Sequence, residues 1–96
     1  MIRHVVIWTL KDAGDAPRVK ALLDSCAALV PGTLGFEVGL RSEGLDANAD
    51  VVLVSTFADK AALDAYQNHP EHKAVSAQLG PLRASRSVID FVVAPA

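Results

Sequence analysis

Ile2-Arg3-His4-Val5-Val6-Ile7-Trp8-Thr9-Leu10 is mostly β-branched or aromatic along its length. A run of that kind, and that short, reads as a strand. Side chains alternate across a strand. His4, Val6 and Trp8 therefore share one side, and Val5 and Ile7 share the other, so both sides are apolar. Val51 to Phe57 repeats the pattern, with Val52 and Val54 opposite Val51 and Leu53. Ser85 to Val93 carries Val88 and Val92 opposite Ile89 and Phe91. Continuously apolar strands suit the middle of a sheet covered on both faces, which puts the first and third strands at the centre.

The segments between the strands read as helices and turns. Lys11 to Asp15 contains Gly14 and breaks the first strand. Asp15 is the expected cap of a helix with Pro17 in its first turn, where the missing N–H costs nothing. Val19, Leu22, Leu23, Cys26, Leu29 and Val30 recur at spacings of three and four, predicting one apolar helical face that Pro31-Gly32 ends. Leu34, Phe36, Val38 and Leu40 alternate with Gly35, Glu37, Gly39 and Arg41, a half-buried strand, and residues 42–50 form a polar loop. Asp59 caps a short helix carrying Ala62, Leu63 and Tyr66 inward, which must end before Pro70. Pro70 opens another, with His72, Val75 and Leu79 on one face, and Gly80-Pro81 stops it.

The order is β-α-β-β-α-β, a ferredoxin-like α+β fold with a four-stranded sheet and its helices on one face. The opposite face is apolar too and needs a cover. Pairing with a second copy is the simplest cover, and two-fold pairing is the commonest closure. The expectation is a homodimer whose two sheets close into an α+β barrel. A monomer with a lipid or hydrophobic ligand on that face is the rival arrangement.

The 96 residues make one domain, 1–96. A domain this small buries only about two thirds of its unfolded surface. Yet 51% of its residues are hydrophobic, which again favours a partner. Nine basic and eleven acidic residues leave a net charge of −2 with no Lys/Arg cluster, so nucleic acid is not an expected partner. The single cysteine, Cys26, forms no internal disulfide and fits a reducing compartment. No apolar run approaches a membrane span or resembles a signal segment, and a cytoplasmic location without membrane partners is the expectation.

Phosphate loops, dinucleotide glycine fingerprints, zinc cysteine pairs and nucleophile elbows are all missing from the sequence. One cluster stands out: Tyr66-Gln67-Asn68-His69-Pro70-Glu71-His72, with His4 on the first strand. An imidazole titrates near neutrality and can move a proton. A tyrosine hydroxyl can donate to a carbonyl oxygen that gains negative charge. If His4, Tyr66 and His72 all face inward, they converge on one apolar space, the usual form of a small-molecule site. The alternative is structural. Asn68 or His69 caps the helix at Pro70, His72 bonds a carbonyl at the core edge, and Tyr66 is an ordinary core ring. A metal held by His69, His72 and His4 has no other ligand spacing to support it, and no metal or cofactor is expected. Trp8 reads as core, Cys26 as a small hydrophobe, and Asp90 as facing solvent or tying down a loop. Arg83 and Arg86 read as surface ion-pair partners or as holders of a ligand anion.

The opening Ile-Arg-His-Val-Val-Ile-Trp, the Val-Pro-Gly at residues 30–32, the Val-Val-Leu-Val-Ser-Thr-Phe strand, the Tyr-Gln-Asn-His-Pro-Glu-His corner and the closing Val-Ile-Asp-Phe resemble the stress-responsive A/B barrel (Dabb) family, in order and over nearly the whole chain. The Tyr-x-x-His-Pro-x-His corner is the most specific part. The resemblance implies a dimeric α+β barrel. Most members have no assigned activity, and binding of a small hydrophobic or carbonyl-containing ligand between sheet and helices is the implied function. A plant polyketide cyclase in the family implies a second, a cofactor-independent lyase or cyclase of aldol type. By that likeness His72 is a general base, Tyr66 polarises a carbonyl, and His4, Trp8 and His69 contact the ligand. The cyclase places aromatic residues of its first helix in the pocket, where this chain has Val19, Leu22 and Leu23. Other dimeric α+β barrels imply a third activity, that of a monooxygenase.

Overall fold

The computed structural model describes residues 1–94; of the expected domain 1–96, residues 95 and 96 lie outside the described residues. Strand β1 (Ile2–Leu10) leads through a 3-10 turn (Ala13–Asp15) into α1 (Ala16–Asp24). Then come β2 (Thr33–Leu40), β3 (Val51–Phe57), α2 (Lys60–Asn68), α3 (Pro70–Leu79) and β4 (Arg83–Val92). The strands form one sheet in the order β2-β3-β1-β4, every neighbouring pair antiparallel. This is the ferredoxin-like arrangement, with β1 and β3 central as their two-sided apolar pattern requires. No helix among the described residues is long and apolar enough to cross a membrane.

The core lies between the helices and one face of the sheet. His4, Val6, Trp8 and Leu10 of β1 point into it, beside Leu53, Ser55 and Phe57 of β3. Val19 and Leu23 of α1, Leu63 and Tyr66 of α2, and Val75 and Leu79 of α3 close it from above. The helices do not reach over β4, whose residues are all exposed. On the opposite face of the sheet Ile7, Val54, Ile89 and Phe91 remain exposed, Ile89 by 62%.

Three local expectations are corrected. The first helix stops at Asp24 and does not run to Val30. The Ser25 hydroxyl donates to the Leu22 carbonyl at 2.6 Å, and the N–H groups of Cys26 and Ala27 donate to Leu23 and Asp24, three residues back. That tightening unwinds the helix. Leu29 and Val30 still pack on the core, from a turn, which is why the apolar spacing ran on. Asp15 makes no capping bond, because the chain is already helical there. Asp12 caps instead, accepting from the Gly14 N–H at 2.9 Å. Leu34 is exposed, since the β2–β3 register shifts between Thr33 and Gly35. Asp59 caps α2 as expected, accepting from the Ala62 N–H at 2.8 Å.

Loss of a bonded cap costs about 1 kcal/mol. Asp59→Ala is expected to lower the unfolding free energy by that amount in urea titrations followed by circular dichroism. Asp15→Ala is expected to stay within about 0.5 kcal/mol of the parent.

Candidate active site between the sheet and the helical corner

A cavity of about 230 Å³ lies where β1, α2 and α3 meet, bounded on the uncovered side by β4. His4, Trp8, Tyr66 and His72 all line it. The expected pocket residues are thus brought together, except His69. The volume is below the roughly 300–1,000 Å³ of drug-sized sites, so an occupant must be small. Trp8 is buried against the wall and leaves the space open.

The corner is built by Pro70. The residue before a proline avoids helical geometry, and His69 is extended (φ −64°, ψ 135°). Its ring turns back to cap α3, Nδ1 accepting from the Glu71 N–H at 3.1 Å. His69 therefore joins the two helices and is not part of the cavity wall. The break leaves the last carbonyls of α2 without helical partners. His72 Nδ1–H, in the first turn of α3, donates to one of them, the Gln67 oxygen, at 3.1 Å. This bond fixes the tautomer, with the proton on Nδ1 and the lone pair on Nε2. Burial lowers the pKa of His72 below the usual imidazole value. The bond to Gln67 works against that shift, while the nearby Arg86 charge adds to it, as does any proton taken up by His4 or His69. His72 is thus a neutral base near pH 7.

Tyr66 is 1% exposed and packed between rings: its centroid lies 5.0 Å from Phe57 and 4.6 Å from His72. Burial pushes its hydroxyl pKa well up, with the Cys26 side chain adding to the rise, so it stays protonated and can donate. It has no hydrogen-bond partner among the described residues, and none of their fully buried side-chain polar atoms is left unpaired. The hydroxyl is therefore at the cavity surface. Burial likewise raises the Cys26 thiol, against a lowering contact from Ser25, and the thiol stays protonated.

His4 is 2% exposed and pairs through Nδ1 with the Asp90 carboxylate, its cross-strand partner on β4. Asp90 accepts from the His4 Nδ1–H, and that bond fixes the tautomer of a ring that lines the cavity. Asp90 thus does more than face solvent or tie down a loop, and the strand register is the signal that finds it. Ser55 was also missed: buried on β3, it donates to the His4 carbonyl at 3.1 Å. Among the described residues no three ligating side chains gather as a metal site would need.

A ferredoxin-like sheet with a cavity under its helices defines the class, a small α+β fold. The chain belongs to the stress responsive A/B barrel domain (Dabb) family, whose model matches residues 2–93. A Dabb family protein with a ferredoxin-like fold from Mesorhizobium loti is 30% identical, covering 98% of this chain and 97% of its own, with a TM-score of 0.78. A dimeric ferredoxin-like protein of unknown function from Thermobifida fusca YX is 25% identical over 96% of this chain and 90% of its own, with a TM-score of 0.84. SnoaB, a cofactor-independent oxygenase from Streptomyces nogalater, is 18% identical, covering 99% and 94%, with a TM-score of 0.78; at that identity the likeness concerns the fold alone. No curated protein matches the sequence.

Removing Asp90 leaves a buried imidazole N–H unpaired, which costs about 1–3 kcal/mol. Asp90→Ala is expected to destabilise by that amount in urea unfolding. A change below about 0.5 kcal/mol would mean the pair does not form in solution.

Proposed function

We propose that the cavity binds a small hydrophobic or carbonyl-containing molecule and that the chain works as a homodimer. The observation that carries the first part is the wall itself. Val6, Leu53, Val75 and Leu79 line the same space as Tyr66 and His72; the Tyr66 hydroxyl is protonated, and the bond made by His72 Nδ1–H leaves the Nε2 lone pair free. An apolar body fits the aliphatic part, and a ketone oxygen accepts from Tyr66. Trp8 is the one tryptophan and lines the cavity, so it reports occupancy. Titration with heptan-2-one is expected to give a saturable change in Trp8 fluorescence, weakened severalfold in Tyr66→Phe. No saturable change would remove the reading.

The dimer is supported by the apolar strip of Ile7, Val54, Ile89 and Phe91 on the face without helices, and by the dimeric relative from Thermobifida fusca YX. Light scattering at micromolar concentration is expected to give twice the monomer mass, and Ile89→Glu to shift it toward the monomer.

A second reading, a cofactor-independent cyclase or lyase of aldol type, is favoured by the His72 tautomer. Nε2 removes a proton from the carbon between two carbonyls, and Tyr66 O–H donates to the enolate oxygen that forms. The carbanion then forms a C–C bond with a second carbonyl carbon of the same molecule. The resulting alkoxide takes the proton back from the His72 imidazolium, so protons and electrons balance with no co-reactant. Deuterium exchange at C3 of pentane-2,4-dione in D₂O tests the first step. The enzyme-dependent rate is expected to rise with pH as His72 loses its proton. Its midpoint should fall below the ordinary imidazole value of about 6.5, with a plateau above pH 7. His72→Asn is expected to return exchange to the buffer rate; exchange that survives would exclude His72 as the base.

A further inference from the structure

Arg83 and Arg86 are three residues apart on β4. In a regular strand that spacing puts side chains on opposite faces. Here it does not. Trp8 pairs with Arg86, Thr9 with Ser85, and Leu10 with Arg83, so Ala84 is an extra residue in a bulge. The Thr9 and Ser85 hydroxyls hydrogen-bond to each other, on the face away from the helices. Trp8 and Leu10 point the other way into the core. Both arginines therefore stand on the helix side, and both line the cavity. Bulges next to functional sites commonly re-aim a side chain in this way.

The two arginines are exposed while Tyr66 and His4 are sealed below, so the guanidinium groups mark the mouth and the phenol the floor. Among the described residues neither arginine has a carboxylate partner within salt-bridge distance, and no carboxylate lines the cavity. The positive charge at the mouth is local, because the chain as a whole carries −2. Arg86 is near enough to His72 for its charge to disfavour the imidazolium.

We infer that the cavity selects small oxo acids, with the ligand carboxylate held by Arg83 and Arg86 at the mouth and its ketone oxygen directed to Tyr66. This rests on the carbonyl-ligand reading of the same cavity and adds the anionic end of the ligand. A guanidinium fork matches a carboxylate in shape and in charge. An imidazole or ammonium compound would meet two fixed cations at the entrance. A nucleotide or acyl-carrier phosphate is too large for a space of about 230 Å³.

The test titrates 5-oxohexanoate and its methyl ester against Trp8 fluorescence at low salt, in the parent and in an Arg83→Gln, Arg86→Gln double variant. The parent is expected to bind the acid at least tenfold tighter than the ester, with the gap shrinking as salt is added. The double variant, altered only at exposed positions and checked for fold by circular dichroism, is expected to bind both alike. Equal binding of acid and ester by the parent would overturn the oxo-acid assignment and leave the carbonyl-ligand reading standing. Binding of neither, with heptan-2-one also silent, would remove both. A preference for the acid that persists in the double variant would overturn the role of the arginines. Displacement of the acid by equimolar inorganic phosphate would overturn the ligand class.

Discussion

The register of β1 between its two neighbours is the constraint on which the rest depends. β1 is hydrogen-bonded along both edges, with Val6 opposite Leu53 on one side and Val88 on the other. A slip of one residue would send His4, Val6 and Trp8 to the face without helices and bring Val5 and Ile7 under them. The core would survive in part, since Val5 and Ile7 are also apolar. The His4–Asp90 pair, the bond from Ser55 to the His4 carbonyl and the Trp8 wall would all be lost. His4 thus sits in the one register that gives its ring a carboxylate and its position a hydroxyl donor.

The cavity follows from how unevenly the helices cover the sheet. Three helices pack over β1, β2 and β3, and β4 stands outside them. The boundary between covered and uncovered sheet runs beside β1, and the polar groups collect along it. Below the helices Tyr66 is dry, and its hydroxyl cannot easily ionise. At the edge His72 is half-buried, enough to keep it neutral. Beyond the edge the arginines are wet. One short pocket thus grades from a hydrogen-bond donor through a base to a pair of cations.

Much of this was legible in the chain. Two-sided apolar strands gave the central positions, and Pro70 with Asp59 gave the helical corner. The inward set of His4, Tyr66 and His72 followed from periods of two and of three to four. What was not legible depends on long-range geometry. Asp90 acquires its role only through a cross-strand partner 86 positions away. Arg83 needs the bulge, because regular alternation would put it on the other face from Arg86. The early end of α1 was hidden because Leu29 and Val30 remain packed on the core after the helix has unwound. His69 was both a candidate ligand contact and a candidate cap, and only the extended backbone before Pro70 turns its ring onto the Glu71 N–H.

The extra residue at Ala84 has a consequence apart from any ligand. β4 is an outer strand of the sheet, and among the described residues no strand pairs with its free side. Such an edge is a template on which a foreign strand can add, the first step of uncontrolled aggregation. An incoming strand matched to Ser85–Val92 would fall out of step on reaching Arg83, where the backbone groups no longer keep the same spacing. The irregularity, with two cations beside it, limits how far strand-on-strand growth can extend along the exposed border of the molecule.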